Sequence, residues 1–232
     1  MRHLHIPSPK GRVCVKVDLR KAFDSVRWSF VKEVMKGLSF PPLIIELIMQ
    51  CIQTPSFSVL INGSPHGFFN SNCGLRQGDP LSPILFVLTM QVLTNSIDRV
   101  VSTGAMGHFL RPELIVSHLC FADDLILFSD DSTSSALGIQ QLLNDFSQAS
   151  GLQINLQKSQ VFLSFPDSSF STENGISSAS LLVKYLGIPL FASGLSHSLC
   201  LPLVDKVHCQ LQSWSGLLLS KARKLELLKS VL

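Results

Sequence analysis

Phe121-Ala122-Asp123-Asp124 lies between two apolar runs, Leu114-Ile115-Val116-Ser117-His118-Leu119-Cys120 before it and Leu125-Ile126-Leu127-Phe128 after it. The flanks are rich in β-branched and aromatic residues and read as two strands. The polar Ala-Asp-Asp is then the tip of a hairpin. Charge at core-facing positions of a strand pair is costly unless something neutralises it. Two carboxylates on one tight turn also repel, and a divalent cation relieves both penalties. Hard oxygen ligands of this kind suit Mg²⁺ or Mn²⁺. Taken alone, the stretch reads equally well as an ordinary Asx-type hairpin turn.

A third carboxylate lies far upstream. Val13, Val15 and Val17 alternate with other residues, which predicts a strand ending at Asp18. Asp18 beside the hairpin aspartates is a ligand set for two metal ions, roughly 4 Å apart, of the kind that activates a 3′-hydroxyl and stabilises a leaving pyrophosphate. Between these elements runs Asn72-Cys73-Gly74-Leu75-Arg76-Gln77-Gly78-Asp79-Pro80-Leu81-Ser82-Pro83. Asp79 is the expected N-cap and Pro80 the expected first helical residue. Gly74 and Gly78 leave room for backbone to approach a ligand.

These blocks resemble the reverse transcriptase domain of plant LINE-type (non-LTR) retrotransposons. The matching stretches occur in family order: Lys16-Val17-Asp18 with Lys21-Ala22-Phe23-Asp24 and Trp28; Leu60-Ile61-Asn62-Gly63 through Gly67-Phe68-Phe69; Gly74 to Pro83; His118 to Phe128; Ser150 to Asn155 with Lys158-Ser159; and Lys184 to Leu190. The resemblance implies an α+β polymerase palm, an antiparallel sheet backed by helices, over 1–190. A partial helical thumb-like segment would follow over 191–232.

It also implies roles. Asp18, Asp123 and Asp124 would hold two Mg²⁺ (or Mn²⁺) ions, and Lys158 would lie near the leaving pyrophosphate. Phe23 would stack under the incoming sugar, with a core phenylalanine as the alternative. Arg76, Gln77 and Gly78 would contact nucleotide and template, and Tyr185-Leu186-Gly187 would grip the primer end. The implied partners are an RNA template, a DNA primer and deoxynucleoside triphosphates. Two departures stand out. Cys73 occupies a position usually held by arginine, and the basic block expected after Trp214 is replaced by Ser215-Gly216-Leu217-Leu218-Leu219. The resemblance further implies fingers blocks and an endonuclease region ahead of the first palm strand, which are expected as partners of this segment if they are encoded upstream. The expected function is a two-metal RNA-directed DNA polymerase domain, truncated. The alternative is a catalytically dead relic that binds nucleic acid or protein. A group II intron maturase is a third reading, disfavoured by the wording of Lys21–Asp24 and Phe121–Asp124.

Composition agrees with a core-forming chain that meets other surfaces. Charged residues make up 15% of the 232, against roughly 25% in an average domain, and mean hydropathy is +0.33. Apolar surface is therefore expected. Residues 1–40 carry nine Lys/Arg against three Asp/Glu, a net +6, while 100–175 carry two against eight, a net −6. A basic flank beside an acidic centre fits phosphate contacts around a metal site, and solvated helix faces fit as well. No apolar run is expected to reach a membrane span, and Met1–Pro7 lacks the apolar stretch of a signal peptide. Nucleus or cytoplasm is the expected location. The six cysteines lack Cys-x-x-Cys spacing, so no disulfide framework is expected.

Periodicity predicts a helix after Asp24, a second over 43–53, a hairpin turning at Asn62-Gly63 and a long buried helix over 80–100. A helix over 133–149 capped by Gly151 follows, then strands near 160–164 and 181–186. The serine-rich 165–180 reads as a loop, and 198–214 and 220–232 as terminal helices.

Overall fold

The computed structural model describes residues 11–107, 116–163, 177–178, 183–186 and 188–190, with 201, 204–209, 212, 220, 223 and 225–226 beyond them. The chain divides into two compact units, Met1–Ala192 and Ser193–Leu232. In the second, 204–209 are helical, as are Leu201, Gln212, Arg223, Leu225 and Glu226. The rest of the two expected terminal helices lies outside the described residues.

The first unit is an α+β palm built around β1 (Val13–Val17). Its sheet has the order β5-β6-β1-β8-β9, with β5 at His118–Phe121, β6 at Asp124–Ser129, β8 at Gln160–Leu163 and β9 at Ser177–Ser178. All neighbours are antiparallel except β8 and β9. Val13, Val15 and Val17 share one face with Leu125, Leu127 and Val161, all fully buried in the main core. That face is covered by α4 (Ser82–Ser102) and α5 (Thr133–Ser150), which contribute Leu85, Phe86, Met90, Leu93, Ile139 and Leu143. The opposite face carries a smaller cluster, Cys14, Ile126 and Phe162, flanked by Phe128 and Tyr185. Burial pushes the Cys14 thiol up to about 12. Cys14, Cys51, Cys73, Cys120 and Cys209 are all free.

Several boundaries differ from the sequence expectation. The helix expected after Asp24 is α2 (Trp28–Gly37), and it excludes Val26, which is extended at φ −62°, ψ 125° after a separate short helix, α1 (Ala22–Ser25). The second expected helix is α3 (Pro42–Gln53). Helix α4 begins two residues later than expected. Its N-cap is Leu81 rather than the expected Asp79, whose Oδ1 instead accepts the Leu81 N–H at 2.8 Å in the turn that leads into the helix. At 21 residues α4 is long and apolar enough to cross a bilayer, contrary to the sequence expectation. Its periodic burial explains the composition: one face is a wall of the core. Within the expected 165–180 loop, Ser177–Ser178 is a strand and the rest is outside the described residues.

The hairpin of β3 (Ser56–Ile61) and β4 (Ser64–Asn70) turns at Asn62-Gly63, with φ of 50° and 83°, the paired positive values of a type I′ turn. Its side chains face out: Phe68 is 84% and Leu60 71% exposed. With Leu43, Ile44 and Leu47 of α3, this is the apolar surface that the low charge fraction predicts.

Two glycines hold the first unit together by close approach. Gly151 ends α5 at φ 84°, and a Cβ there would lie 2.6 Å from the Ser25 carbonyl oxygen. Gly74 has φ 90°, and its Cβ would lie 2.6 Å from the Asp24 carbonyl oxygen. The sequence suggested that Gly74 admits a ligand; the structure shows it admitting the α1 backbone. Gly78 shares φ 90° but would place a Cβ in open space. Gly78→Ala should therefore cost about 1–2 kcal/mol from left-handed backbone alone. Gly74→Ala should cost clearly more, read as a lower urea midpoint at unchanged slope. Equal costs at the two positions would contradict the packing at Gly74.

Candidate active site

Asp18 and the hairpin aspartates arrive from adjacent strands. The β1–β6 register runs from Val13↔Ser129 to Val17↔Leu125, so the next residues along are Asp18 and Asp124. Asp18 is not the last strand residue, as the alternation predicts, but the link between β1 and β2 (Leu19–Arg20). Phe121 pairs with Asp124, leaving Ala122 and Asp123 as the two-residue turn. Ala122 takes φ 52°, a conformation costly for a residue with a Cβ and held here by the flanking ladder. Asp123 is exposed, and Asp18 and Asp124 are half-buried. Neither hairpin carboxylate is core-facing. The desolvation penalty suggested by the apolar flanks is correspondingly small, because Asp123 lies in the turn and Asp124 is only the first residue of β6.

Among the described residues no three His, Cys, Asp or Glu side chains converge into a ready-made metal cluster. The donor chemistry, all carboxylate, still suits a hard divalent ion. The carboxylates stand at one end of the sheet without being gathered around a point.

The other implied site residues fall into three places. Tyr185, on β10 (Val183–Tyr185), packs against the Cys14–Ile126–Phe162 cluster. Its hydroxyl pKa is raised by burial first, then by Cys120 and Asp124, which puts it on the sheet face near the acids. Leu186 is exposed at φ 51° between β10 and β11 (Ile188–Leu190), and Gly187 is outside the described residues. Phe23 follows the Lys21 turn and stacks on buried Phe86, centroids 4.6 Å apart at 17°. Its ring is thus partly core and partly open. Lys158 is exposed in the turn before β8.

Arg76, Gln77 and Gly78 lie in the loop leading into α4, and all three are exposed. That loop is fastened to the first block by three bonds. Leu75 N–H donates to the Phe23 carbonyl at 2.7 Å and Gly74 N–H to Val26 at 2.8 Å. Trp28 Nε1 donates to the Gly74 carbonyl at 2.7 Å. Cys73, where arginine is usual, points its thiol at the Asp24 carbonyl at 3.5 Å. The loop and the β3–β4 hairpin enclose a cleft of about 610 Å³, with Trp28, Phe57, Phe69, Arg76 and Gln77 in its walls. None of the three aspartates lines it. The carboxylate arrangement, an open sheet face rather than a cavity, is the better guide to chemistry. Arg76 sits 6.0 Å above the Phe57 ring, a cation–π contact that sequence reasoning did not anticipate.

Residues 2–190 match the family described as reverse transcriptase (RNA-dependent DNA polymerase). The chain belongs to this family. It is 29% identical over 163 residues to the Pol polyprotein of the R2DM retrotransposable element of Drosophila melanogaster, covering 68% of this chain and 14% of that one. An uncharacterised mitochondrial protein of Arabidopsis thaliana, AtMg01250, is 40% identical over 76 residues, 33% of this chain and 58% of that protein. A telomerase structure from Candida tropicalis superposes with a TM-score of 0.59 at 14% identity, covering 81% of this chain and 29% of the telomerase. That likeness shows the palm fold alone. The chain is a reverse transcriptase domain of the kind carried by non-LTR retrotransposon Pol proteins, spanning about a seventh of the R2DM polyprotein. Domains of this family generally use divalent metal ions and bind an RNA template and nucleotides.

His118, behind the hairpin, carries a pH dependence. Its Nδ1 lies 2.8 Å from Ser117 Oγ and 3.7 Å from Asp98 Oδ1. Burial lowers its pKa from the ordinary 6.5, and Asp98 opposes this. The unfolded chain then takes up the proton at higher pH than the folded one. Stability contributed by neutral His118 is present above 6.5 and is lost as pH falls below it. His118→Gln should flatten the change in urea midpoint between pH 7.5 and 5.5 relative to the parent; an identical change in both would contradict it.

Proposed function

We propose that this chain is the catalytic palm of an RNA-directed DNA polymerase, which extends a primer 3′-hydroxyl on an RNA template. The observation that carries the reading is the β1–β6 register, which puts Asp18 next to Asp124 with Asp123 on the adjoining turn. The carboxylates would hold two Mg²⁺ ions, whose bound state supplies charge neutralisation at the attacking and leaving oxygens. Asp18 and Asp124 orient from adjoining strands, and Asp123 reaches from the tip. Lys158 would place a cation for the departing pyrophosphate. Phe23, backed by Phe86, would set a wall against the 2′ position of the incoming sugar. Gln77 and Arg76, exposed on a loop pinned to Phe23, would meet nucleotide and template. Tyr185 with its β10–β11 hairpin would support the primer end.

Because the carboxylates are not already gathered, substrate phosphates would complete the coordination, and ion binding without nucleic acid should be weak. The same observation favours a second reading, a domain that binds a template–primer duplex without extending it. Primer extension on poly(rA)/oligo(dT) with Mg²⁺ and with Mn²⁺ separates the two. Extension by the parent that is lost in Asp123→Asn supports the polymerase. Duplex binding by both proteins, with extension by neither, supports the second reading and overturns the first.

In the same assay, Phe23→Val should raise ribonucleotide relative to deoxyribonucleotide incorporation, since the smaller side chain removes a steric wall rather than an attractive contact. An unchanged ratio with activity retained makes Phe23 a core residue only.

A further inference from the structure

Asp18 is the one residue between Val13 and Arg20 that lies outside a strand ladder. The chain leaves the main sheet at Val17 and re-pairs at once, as β2, with β7 (Gln153–Ile154). Asp18 therefore needs partners of another kind for its main chain, and both come from one turn. Its N–H donates to Ser159 Oγ at 3.1 Å, and its carbonyl accepts the Asn155 N–H at 2.8 Å. Ser159 is fully buried. The turn is closed on itself, because the N–H groups of Lys158 and Ser159 both donate to the Asn155 carbonyl, at 3.1 and 2.9 Å.

We propose that Ser159 is a positioning residue that fixes the Asp18 carboxylate for metal binding, through its hydroxyl's bond to the Asp18 N–H. The inference rests on the reading of Asp18 as a metal ligand. With β1 ending one residue earlier, the ladder no longer constrains Asp18, so its side-chain direction depends on how its own peptide groups are held. Ser159 and Asn155 hold it from both sides, and the contact links residues 141 apart in sequence. A buried hydroxyl has a cost unless it is bonded. Alanine would fill the same volume more cheaply, so the oxygen is explained by the N–H it accepts. The turn also carries Lys158, so one latch sets the spacing between the carboxylate and that cation. Partners of this kind govern how a ligand is presented to a metal, and their loss typically lowers metal affinity about 10–100-fold.

The test is a Mn²⁺ titration, followed by water-proton relaxation and without nucleic acid, on the 232-residue chain. The variants are Ser159→Ala, Ser159→Thr, Asp18→Asn and the Asp18→Asn/Ser159→Ala pair. Asp18→Asn should weaken binding, and Ser159→Ala should weaken it about 10-fold. Ser159→Thr, which keeps the hydroxyl, should recover most of the loss. The double variant should bind no more weakly than Asp18→Asn alone, because Ser159 acts through Asp18. If Ser159→Ala binds as the parent does while Asp18→Asn is weakened, the positioning role is wrong and the metal reading survives. If Asp18→Asn binds as the parent does, both fall. A further loss of similar size on top of Asp18→Asn marks general loosening and also overturns the proposal. Should Ser159→Ala fail to fold, hydrogen exchange at the Asp18 amide of the parent decides. Protection comparable to β1 supports the latch, and exchange at the rate of an open turn overturns it.

Discussion

The pairing of β1 on both edges is the constraint on which the rest of the structure depends. Val13–Val17 pairs antiparallel with β6 on one side and β8 on the other, so its polar backbone is consumed by the sheet. Side chains then have only two directions. The valines go to the helix side, where they meet Leu125, Leu127 and Val161 under α4 and α5. Cys14 and Lys16 go to the other side, and the register carries that side forward to Asp18 and Asp124. A slip of one residue against β6 would send the valines outward and separate the acids. Burial of the core thus fixes the relative placement of groups that are themselves outside it.

The second organising contact is between the 23–28 segment and the loop at Gly74–Leu75. Three hydrogen bonds and a glycine without room for a Cβ bring together two stretches about fifty residues apart. Between them lie α2, α3 and an outward-facing hairpin. Because Leu75 is bonded to the Phe23 carbonyl, the loop bearing Arg76 and Gln77 is tied to the backbone that carries the Phe23 ring. The exposed apolar faces of α3 and the β3–β4 hairpin hang from this fixed point.

What was legible in the sequence was periodic or chemically particular. Alternating valines marked β1, Asn62-Gly63 marked a hairpin turn, and Gly151 marked the end of α5, since each signal arises from its own neighbours. The family blocks identified the palm, and the three aspartates stood out by type. What was not legible depends on distant partners. Nothing near Val26 foretells that it stays outside the helix, because it buries its side chain in a core supplied by other elements. Gly74 looked like a ligand's neighbour until the α1 backbone was seen against it. In the sequence Ser159 is only the residue after a lysine, and its bond to Asp18 is invisible without the fold. The gap between a three-acid motif and a gathered ligand set is likewise a matter of geometry that residue type does not carry.

Cys14 has a practical consequence. It lies at the centre of the sheet, wholly buried, with its thiol pushed up to about 12, so at neutral pH it is neither accessible nor ionised. Cys51, Cys73 and Cys209 are exposed. An alkylating reagent will therefore consume the outer thiols first and reach Cys14 only when β1 parts from β6 and β8. The chain carries its own stopwatch for opening of the palm: the slow phase of labelling times the separation of the strands that bring Asp18 and Asp124 side by side.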